Sequence, residues 1–276
     1  MKARSSYVVT MLPLIALGAA CAMPADPPPG TSEIPSPPPS FTRENDRTEA
    51  LIFNGASAWP AEVNSLASAL YSHGITYVET SSSELDSMSL DELSNFSVLI
   101  FPGGDAATMT ESLSKETHAR LREAVQKRGT DYLGFCAGAW AAVAPAPAPG
   151  HDVAYGFGIV DGPIQSQTSL YKEGREFALT NASFPDGTHR ELLWYGGPIT
   201  PDRPGGVIAK YADGTPAITQ IRSGKGFVIV SGLHPFATQA VFEALGLVNP
   251  DGTAFDLAWE MLDAVLHQKP MPAFPG

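Results

Sequence analysis

The chain has 276 residues, of which 43% are hydrophobic and 17% are charged, and its formal net charge is −12. These proportions are typical of a folded globular protein and exclude an intrinsically disordered chain. A strongly acidic surface repels nucleic acid, so the charge excludes DNA or RNA as a partner. After the N-terminal segment, no apolar run reaches the roughly 18 residues that a membrane-spanning helix requires.

Residues 1–21 have the three parts of a secretory signal. Lys2 and Arg4 form a positive start, an apolar stretch follows over 7–17, and small residues lead into Cys21. The sequence Leu17-Gly18-Ala19-Ala20-Cys21 resembles the lipobox of bacterial lipoproteins, whose cysteine becomes the lipidated first residue. It departs from that pattern at Gly18, where a lipobox has Leu, and the alternative is ordinary cleavage after the A-x-A sequence Ala20-Cys21-Ala22.

The lipobox resemblance implies that the protein is exported and held by a lipid on Cys21 at a membrane of the bacterial envelope, on the periplasmic face or the cell surface. Residues 22–47 follow, with eight prolines between positions 24 and 39. This composition cannot form a core and favours extended conformations. We therefore expect 22–47 to be a tether that carries a folded domain.

The folded domain is predicted over 48–268, followed by a short tail over 269–276. Continuous apolar runs that end at turn residues predict buried parallel strands. These predicted strands are 50–53, 75–79, 98–101, 132–135 and 227–230. Helical spacing of apolar residues predicts helices from Pro60 to Gly74, over 91–96, 115–128 and 137–144, and a closing helix over 255–266. Less regular segments predict further strands near 155–164, 175–180, 206–211 and 216–222.

The alternation of strands and helices predicts the α/β class. The specific expectation is a doubly wound, mostly parallel sheet of the flavodoxin-like type, with helices on both faces.

Cys136 stands in the sequence Gly134-Phe135-Cys136-Ala137-Gly138, between a predicted strand and a predicted helix. This is the spacing of a nucleophile elbow, where glycines on both sides allow a sharp turn that presents the reactive side chain. A helix that begins at the cysteine favours the thiolate form. The alternative is an inert buried cysteine, which is common in protein cores.

Phe101-Pro102-Gly103-Gly104-Asp105 ends the neighbouring predicted strand. The carboxyl ends of parallel strands meet at one sheet edge, where ligands bind. We therefore expect the backbone N–H groups of Gly103, Gly104 and Ala137 to surround an oxyanion formed beside Cys136. Considered alone, the glycine pair is also consistent with a plain turn that leads into a helix.

The motifs LIFPGGD at 99–105 and YLGFCAGAW at 132–140 resemble the class I glutamine amidotransferase-like superfamily, and most closely the N-terminal domain of biotin–protein ligase and its stand-alone relatives. Two later motifs, Trp194-Tyr195-Gly196-Gly197-Pro198 and Ser231-Gly232-Leu233-His234-Pro235, are similar to that family as well. The resemblance covers roughly 48–268. It implies substrate binding by Asp105, Tyr195, Gly196 and Gly197. The adenylate loop of a biotin ligase is absent from the sequence, so ligase activity is not expected.

The same resemblance implies a Cys-His-Glu arrangement, with His234 as the histidine that takes the Cys136 proton. The glutamate expected two residues later is replaced by Phe236. Glu243, Glu79 or a backbone carbonyl are the candidates to orient the imidazole in its place.

The sequence thus predicts a cysteine-dependent hydrolase or acyl transferase that acts on an amide-type substrate through a thioester. The alternatives are a non-catalytic module that has kept the fold, and a thiol redox sensor at Cys136. No cofactor is expected. No metal is expected either, because the histidines show no metal-ligand spacing.

Overall fold

The computed structural model describes residues 49–143, 156–164 and 168–276. The predicted signal over 1–21, with Cys21, and the predicted tether over 22–47 lie outside these residues. Within the described part of the chain, no helix combines the length and the apolar character needed to cross a bilayer.

Nine strands and nine α-helices are formed by the described residues. The strands are β1 Ala50–Phe53, β2 Tyr77–Thr80, β3 Val98–Phe101, β4 Asp131–Phe135, β5 Phe177–Ser183, β6 His189–Tyr195, β7 Val207–Lys210, β8 Pro216–Ser223 and β9 Gly226–Ser231. The helices are α1 Pro60–Ser72, α2 Ser82–Ser87, α3 Leu90–Leu93, α4 Ala106–Glu111, α5 Lys115–Glu123, α6 Ala137–Ala142, α7 Ser169–Lys172, α8 Gln239–Ala244 and α9 Phe255–Leu266. A π-helical turn, Ala124–Arg128, continues α5.

All nine strands belong to one mixed sheet in the order β2-β1-β3-β4-β9-β8-β7-β5-β6. The pairings from β2 to β9 are parallel. Those from β9 to β6 are antiparallel. The α/β class is therefore confirmed, but the predicted mostly parallel sheet is wrong for half of the pairings. The Gly-rich C-terminal segments form hairpins, which need only short turns and no crossover helix.

The parallel half forms the centre of the core. β1, β3 and β4 are buried along their whole length, as is β9. Across them the rings of Phe53, Phe101 and Tyr132 stack with centroids 5.0 and 5.3 Å apart. Burial of each such side chain stabilises the fold by about 1.5–3 kcal/mol, so this stack stabilises the packing of β1, β3 and β4, which lead to the site.

One predicted strand is absent from the described residues, and one observed strand was not predicted. The described part of the predicted strand at 155–164 has a single isolated bridge, from Val160 to Val143, and no strand. β6 was not predicted, because its first residues are polar and only its second half is buried.

β6, the last strand in the sheet order, lies next to the carboxyl ends of the parallel strands. The Leu193 carbonyl accepts a hydrogen bond from the His234 amide at 2.9 Å, just after β9. The Tyr195 carbonyl accepts one from the Cys136 thiol at 3.4 Å. The antiparallel half therefore curves back so that its last strand helps to build the site.

Candidate active site

Cys136 lies on a sharp turn between β4 and α6. Its φ of 46° and ψ of −101° are strained for a residue with a side chain, and such a conformation costs on the order of 1–3 kcal/mol. The turn is held by the Cys136 amide, which donates to the Ser231 carbonyl at 2.7 Å, and by the Gly138 amide, which donates to Pro102 at 3.1 Å. The geometry is that of a nucleophile elbow.

The two glycines of the elbow are required by close backbone approach. A β-carbon at Gly138 would lie 2.0 Å from the Phe101 carbonyl oxygen, and one at Gly134 would lie 2.5 Å from the Gly138 carbonyl oxygen. Any side chain at either position would force β4 away from α6 or β3. The glycine spacing that suggested the elbow therefore has a direct steric cause.

His234 follows β9 and is buried, with an exposed fraction of 2%. Its ring nitrogen Nδ1 lies 3.0 Å from Oε1 of Glu62. Its other ring nitrogen, Nε2, is buried and has no hydrogen-bond partner among the described residues. A buried polar atom without a partner costs roughly 1–3 kcal/mol. This nitrogen therefore remains available for proton exchange with the Cys136 side chain, which also acts on this ring.

Glu62 is the residue that orients the histidine, and it was not among the residues predicted from the sequence. It lies in the first turn of α1 and is 1% exposed. Both carboxylate oxygens have partners, since Oε1 contacts His234 and Oε2 accepts the Gly103 amide at 2.5 Å. A signal for it exists in the sequence, because Glu62 shares the apolar face of α1 with Leu66 and Leu70 at a spacing of four.

None of the glutamates proposed from the sequence fills this role. Glu79 is exposed and accepts a hydrogen bond from Asn54 at 2.9 Å. Glu243 is exposed and pairs with Gln239 at 3.2 Å. Phe236, where the family pattern has Glu, packs edge-to-face on Phe135 in the core. The carboxylate thus comes from the opposite end of the sequence.

Gly103 supports the histidine and the glutamate. Its N–H group, predicted to face an oxyanion, donates instead to Glu62. A β-carbon at Gly103 would lie 2.6 Å from Cε1 of His234. Gly103 is therefore needed to let the imidazole approach β3, and its assignment as an oxyanion donor is wrong.

The electrostatics of His234 combine opposing effects. Burial lowers its pKa, whereas the Glu62 carboxylate and the adjacent Cys136 side chain raise it, and the net direction is upward. The thiol is close enough to contribute to this shift, although no hydrogen bond of ordinary geometry joins the sulfur to Nε2. The protonated imidazole is therefore favoured next to Cys136.

Cys136 is 2% exposed, and its thiol donates to the Tyr195 carbonyl. Ala137 directly follows Cys136 in this turn, and no hydrogen bond from the amide of Ala137 or of Gly104 to another described residue is seen. Gly104 has a φ of 150°, and a β-carbon there would lie 2.0 Å from the Ser57 carbonyl oxygen. The role of the Gly104 and Ala137 amides as oxyanion donors stays a prediction.

The residues assigned to substrate binding have different surroundings. Tyr195 and Gly196 lie beside Cys136 through the Tyr195 carbonyl. The Gly197 carbonyl accepts the Trp194 indole N–H at 2.7 Å. The Asp105 carboxylate caps α4 by accepting the Thr108 amide at 2.7 Å, which explains its position without a ligand.

With this geometry established, comparison with known proteins gives a partial match. Residues 48–145 match the family model for the N-terminal domain of biotin-protein ligase. The resemblance inferred from the motifs is therefore confirmed over this segment, which contains Glu62, Gly103 and Cys136 but not His234. The sequence matches no curated protein.

Solved structures are similar at low identity. The exo-beta-1,4-mannosidase Op5Man5 from Opitutaceae bacterium strain TAV5 is 12% identical, with a TM-score of 0.40 over 80% of this chain and 36% of that one. A beta-galactosidase from Bacillus circulans is 14% identical, with a TM-score of 0.45 over 82% of this chain and 32% of that one. A putative GMP synthase component from Thermoplasma acidophilum is 13% identical, with a TM-score of 0.43 over 69% of this chain and 85% of that one. The chain thus spans about a third of the first two enzymes.

Proposed function

We propose that the protein is a cysteine-dependent hydrolase or acyl transferase that acts on an amide-type substrate through a thioester. The observation that carries this proposal is the buried series Cys136, His234 and Glu62, in which the imidazole lies between the elbow cysteine and a carboxylate. A positive charge next to a cysteine favours the thiolate, which is the nucleophile. Glu62 acts as a positioning residue, because it fixes the imidazole and favours its protonated form.

In the acylation step the Cys136 proton resides on His234, and the thiolate attacks the substrate carbonyl carbon. A carbon–sulfur bond forms, and the carbonyl oxygen becomes an oxyanion that the Gly104 and Ala137 amides stabilise. As the carbon–nitrogen bond breaks, His234 donates its proton to the leaving amine. The products of this step are a free amine and a thioester on Cys136.

In the second step water, or the amine of an acceptor, attacks the thioester carbonyl. His234 takes the proton of the nucleophile, the carbon–sulfur bond breaks, and the thiolate–imidazolium pair is restored. The released product is a carboxylic acid with water and a new amide with an amine acceptor. Apart from the substrate and the attacking water or amine, the groups used in these steps are side chains and backbone amides of the chain itself.

The proposal places this reaction at the bacterial envelope. The signal-like segment 1–21 and the lipobox-like cysteine Cys21 support export and a lipid anchor, and the proline-rich segment 22–47 is suited to hold the domain away from the membrane. Release of the protein from membranes by Cys21→Ser, with retention by the unchanged chain, is the expected result of fractionation.

A non-catalytic binding module is the second candidate. It is favoured by the 2% exposure of Cys136 and by the hydrogen bond from the thiol to the Tyr195 carbonyl, both of which describe a sheltered sulfur. In this case the unpaired Nε2 of His234 and the free amides would bind a polar ligand atom without covalent chemistry.

The experiment that separates the two candidates is covalent trapping. The full chain is incubated with p-nitrophenyl acetate, and peptide mass spectrometry looks for an acetyl thioester on Cys136 that hydroxylamine removes. The proposal expects acetylation of Cys136 to be at least about tenfold faster than that of glutathione, with the gain lost in His234→Asn. Acetylation no faster than that of glutathione would refute the enzyme and favour the binding module.

A further inference from the structure

Three aromatic side chains extend from His234 towards the surface, and we call Trp59, Tyr195 and Phe177 the aromatic wall. The Trp59 and His234 rings meet edge-to-face with centroids 5.1 Å apart. Trp59 and Tyr195 meet at 6.1 Å, and Tyr195 and Phe177 at 5.7 Å. Because Trp59 and Phe177 are only partly buried, the wall joins the enclosed imidazole to the solvent.

Trp59 is held firmly in this position. It precedes Pro60 at the start of α1, and its amide donates to the Gly103 carbonyl at 2.8 Å. Its side chain packs against a small hydrophobic cluster formed by Leu193, Ala237, Val241 and Phe242. The ring therefore approaches His234 from a fixed direction, supported by β6 and α8.

The wall and the cluster behind it consist of uncharged side chains. The nearest buried charge, on Glu62, is already matched by His234. An anionic substrate group placed on these rings would lose water without gaining a counter-ion. A flat, uncharged group would instead gain ring contacts and lose little solvation.

We propose that the aromatic wall determines specificity, and that Trp59 binds a flat, uncharged ring next to the reacting carbonyl of the substrate. This inference rests on the proposed function and narrows its substrate class to amides that carry an aromatic group beside the carbonyl. Trp59 acts as a specificity residue, since it contributes a surface and takes no part in proton transfer.

The test measures alkylation of Cys136 by two reagents, iodoacetamide and its N-phenyl derivative iodoacetanilide. Peptide mapping follows Cys136 in the full chain, and glutathione gives the intrinsic ratio of the two rates. We expect the ratio of iodoacetanilide to iodoacetamide at Cys136 to exceed that of glutathione by about tenfold. Trp59→Ala should return the ratio to the glutathione value, and Trp59→Phe should keep most of the preference.

Trp259→Ala is the matched control, because Trp259 lies on α9 and stacks on His73 away from the site. It should leave the ratio unchanged. His234→Asn separates this inference from the proposed function, because it should slow both reagents and preserve their ratio. A ratio equal to that of glutathione in the unchanged chain, or a preference that survives Trp59→Ala, would overturn the inference.

Discussion

Glu62 contacts His234 at 3.0 Å although 172 residues separate them in the sequence. The contact exists because β1 and β9 both end at the same sheet edge, so that the start of α1 meets the segment after β9. The family pattern places the glutamate two residues after the histidine, where this chain has Phe236. The carboxylate beside His234 is thus supplied by Glu62 on α1, and Phe236 packs in the core instead.

Glu62→Gln should change the titration of His234. Gln keeps the size and an oxygen acceptor but removes the charge that raises the His234 pKa, so this pKa should fall. NMR titration of the imidazole tests the direction. Alkylation of Cys136 by iodoacetamide near neutral pH should slow by about tenfold, since less imidazolium remains beside the sulfur. An unchanged His234 titration would contradict the role assigned to Glu62.

Glu62→Ala should destabilise the fold more than Glu62→Gln. It removes both carboxylate contacts and leaves the buried His234 ring and the Gly103 amide without partners. Breaking such a buried pair costs about 3–5 kcal/mol. Urea denaturation monitored by circular dichroism measures the loss. Glu79→Ala is a suitable control, because Glu79 is exposed, and a similar loss in both variants would show that the buried contacts do not contribute.

The Glu62–His234 pair should also give a pH dependence of stability. The folded-state pKa of His234 is raised above its ordinary value of 6.5. The stabilisation from the pair is therefore fully present below pH 6.5 and is lost as the pH rises through the higher folded-state pKa. Denaturation from about pH 6 upwards should show this loss in the unchanged chain and not in His234→Gln. Parallel curves for the two proteins would contradict it.

Gly103→Ala should displace the imidazole. The added β-carbon would lie 2.6 Å from Cε1 of His234, so one of the two groups must move. The expected loss of stability is about 1–3 kcal/mol, with at least a tenfold slower reaction of Cys136. Gly214→Ala serves as a control. An added β-carbon at Gly214 meets no atom within 4 Å, so the only cost is the backbone strain of Ala at a φ of 83°. Equal effects on Cys136 reactivity would exclude a specific role for Gly103.

The sequence predicts the parallel half of this fold well, and the physical reason is burial. β1 and β3 are short apolar runs without polar interruptions, and the predicted bounds of both coincide with the structure. β6 was not predicted, because polar and charged residues at its start interrupt the apolar alternation. Its contact with the segment after β9, through the hydrogen bond from the His234 amide to the Leu193 carbonyl, is visible only in the folded chain.

The residues of the site also differ in how far the sequence predicts them. Cys136 and its glycines are recognisable because the elbow is a local turn whose steric needs appear in five consecutive residues. Glu62 is not recognisable from its neighbours alone, since its role depends on contacts with Gly103 and His234 that only the folded sheet creates. The informative feature was a carboxylate on the apolar face of α1, which requires a buried partner.

Asp131 offers a test of the opposite sheet edge. It begins β4, is 4% exposed, and accepts the Phe227 amide at 2.6 Å and the Gln268 side chain at 2.9 Å through the same oxygen. Burial raises its pKa from 3.8 to about 6, against the hydrogen bonds and the charge of Arg222. The folded state therefore binds a proton more tightly than the unfolded state. Its favourable contribution is complete below pH 3.8 and is lost as the pH rises through about 6.

Asp131→Asn removes this titration and keeps an oxygen that can accept both hydrogen bonds. The variant should be more stable than the unchanged chain at about pH 7, by about 1 kcal/mol once the partial solvent screening of the carboxyl group is considered. The difference should shrink as the pH falls towards about 4, and urea denaturation at several pH values measures it. Asp91→Asn is the matched control, since the Asp91 side chain is 85% exposed and should show no such trend. A variant that is less stable near neutral pH would mean that the Asp131 charge, through Arg222, outweighs the cost of its burial.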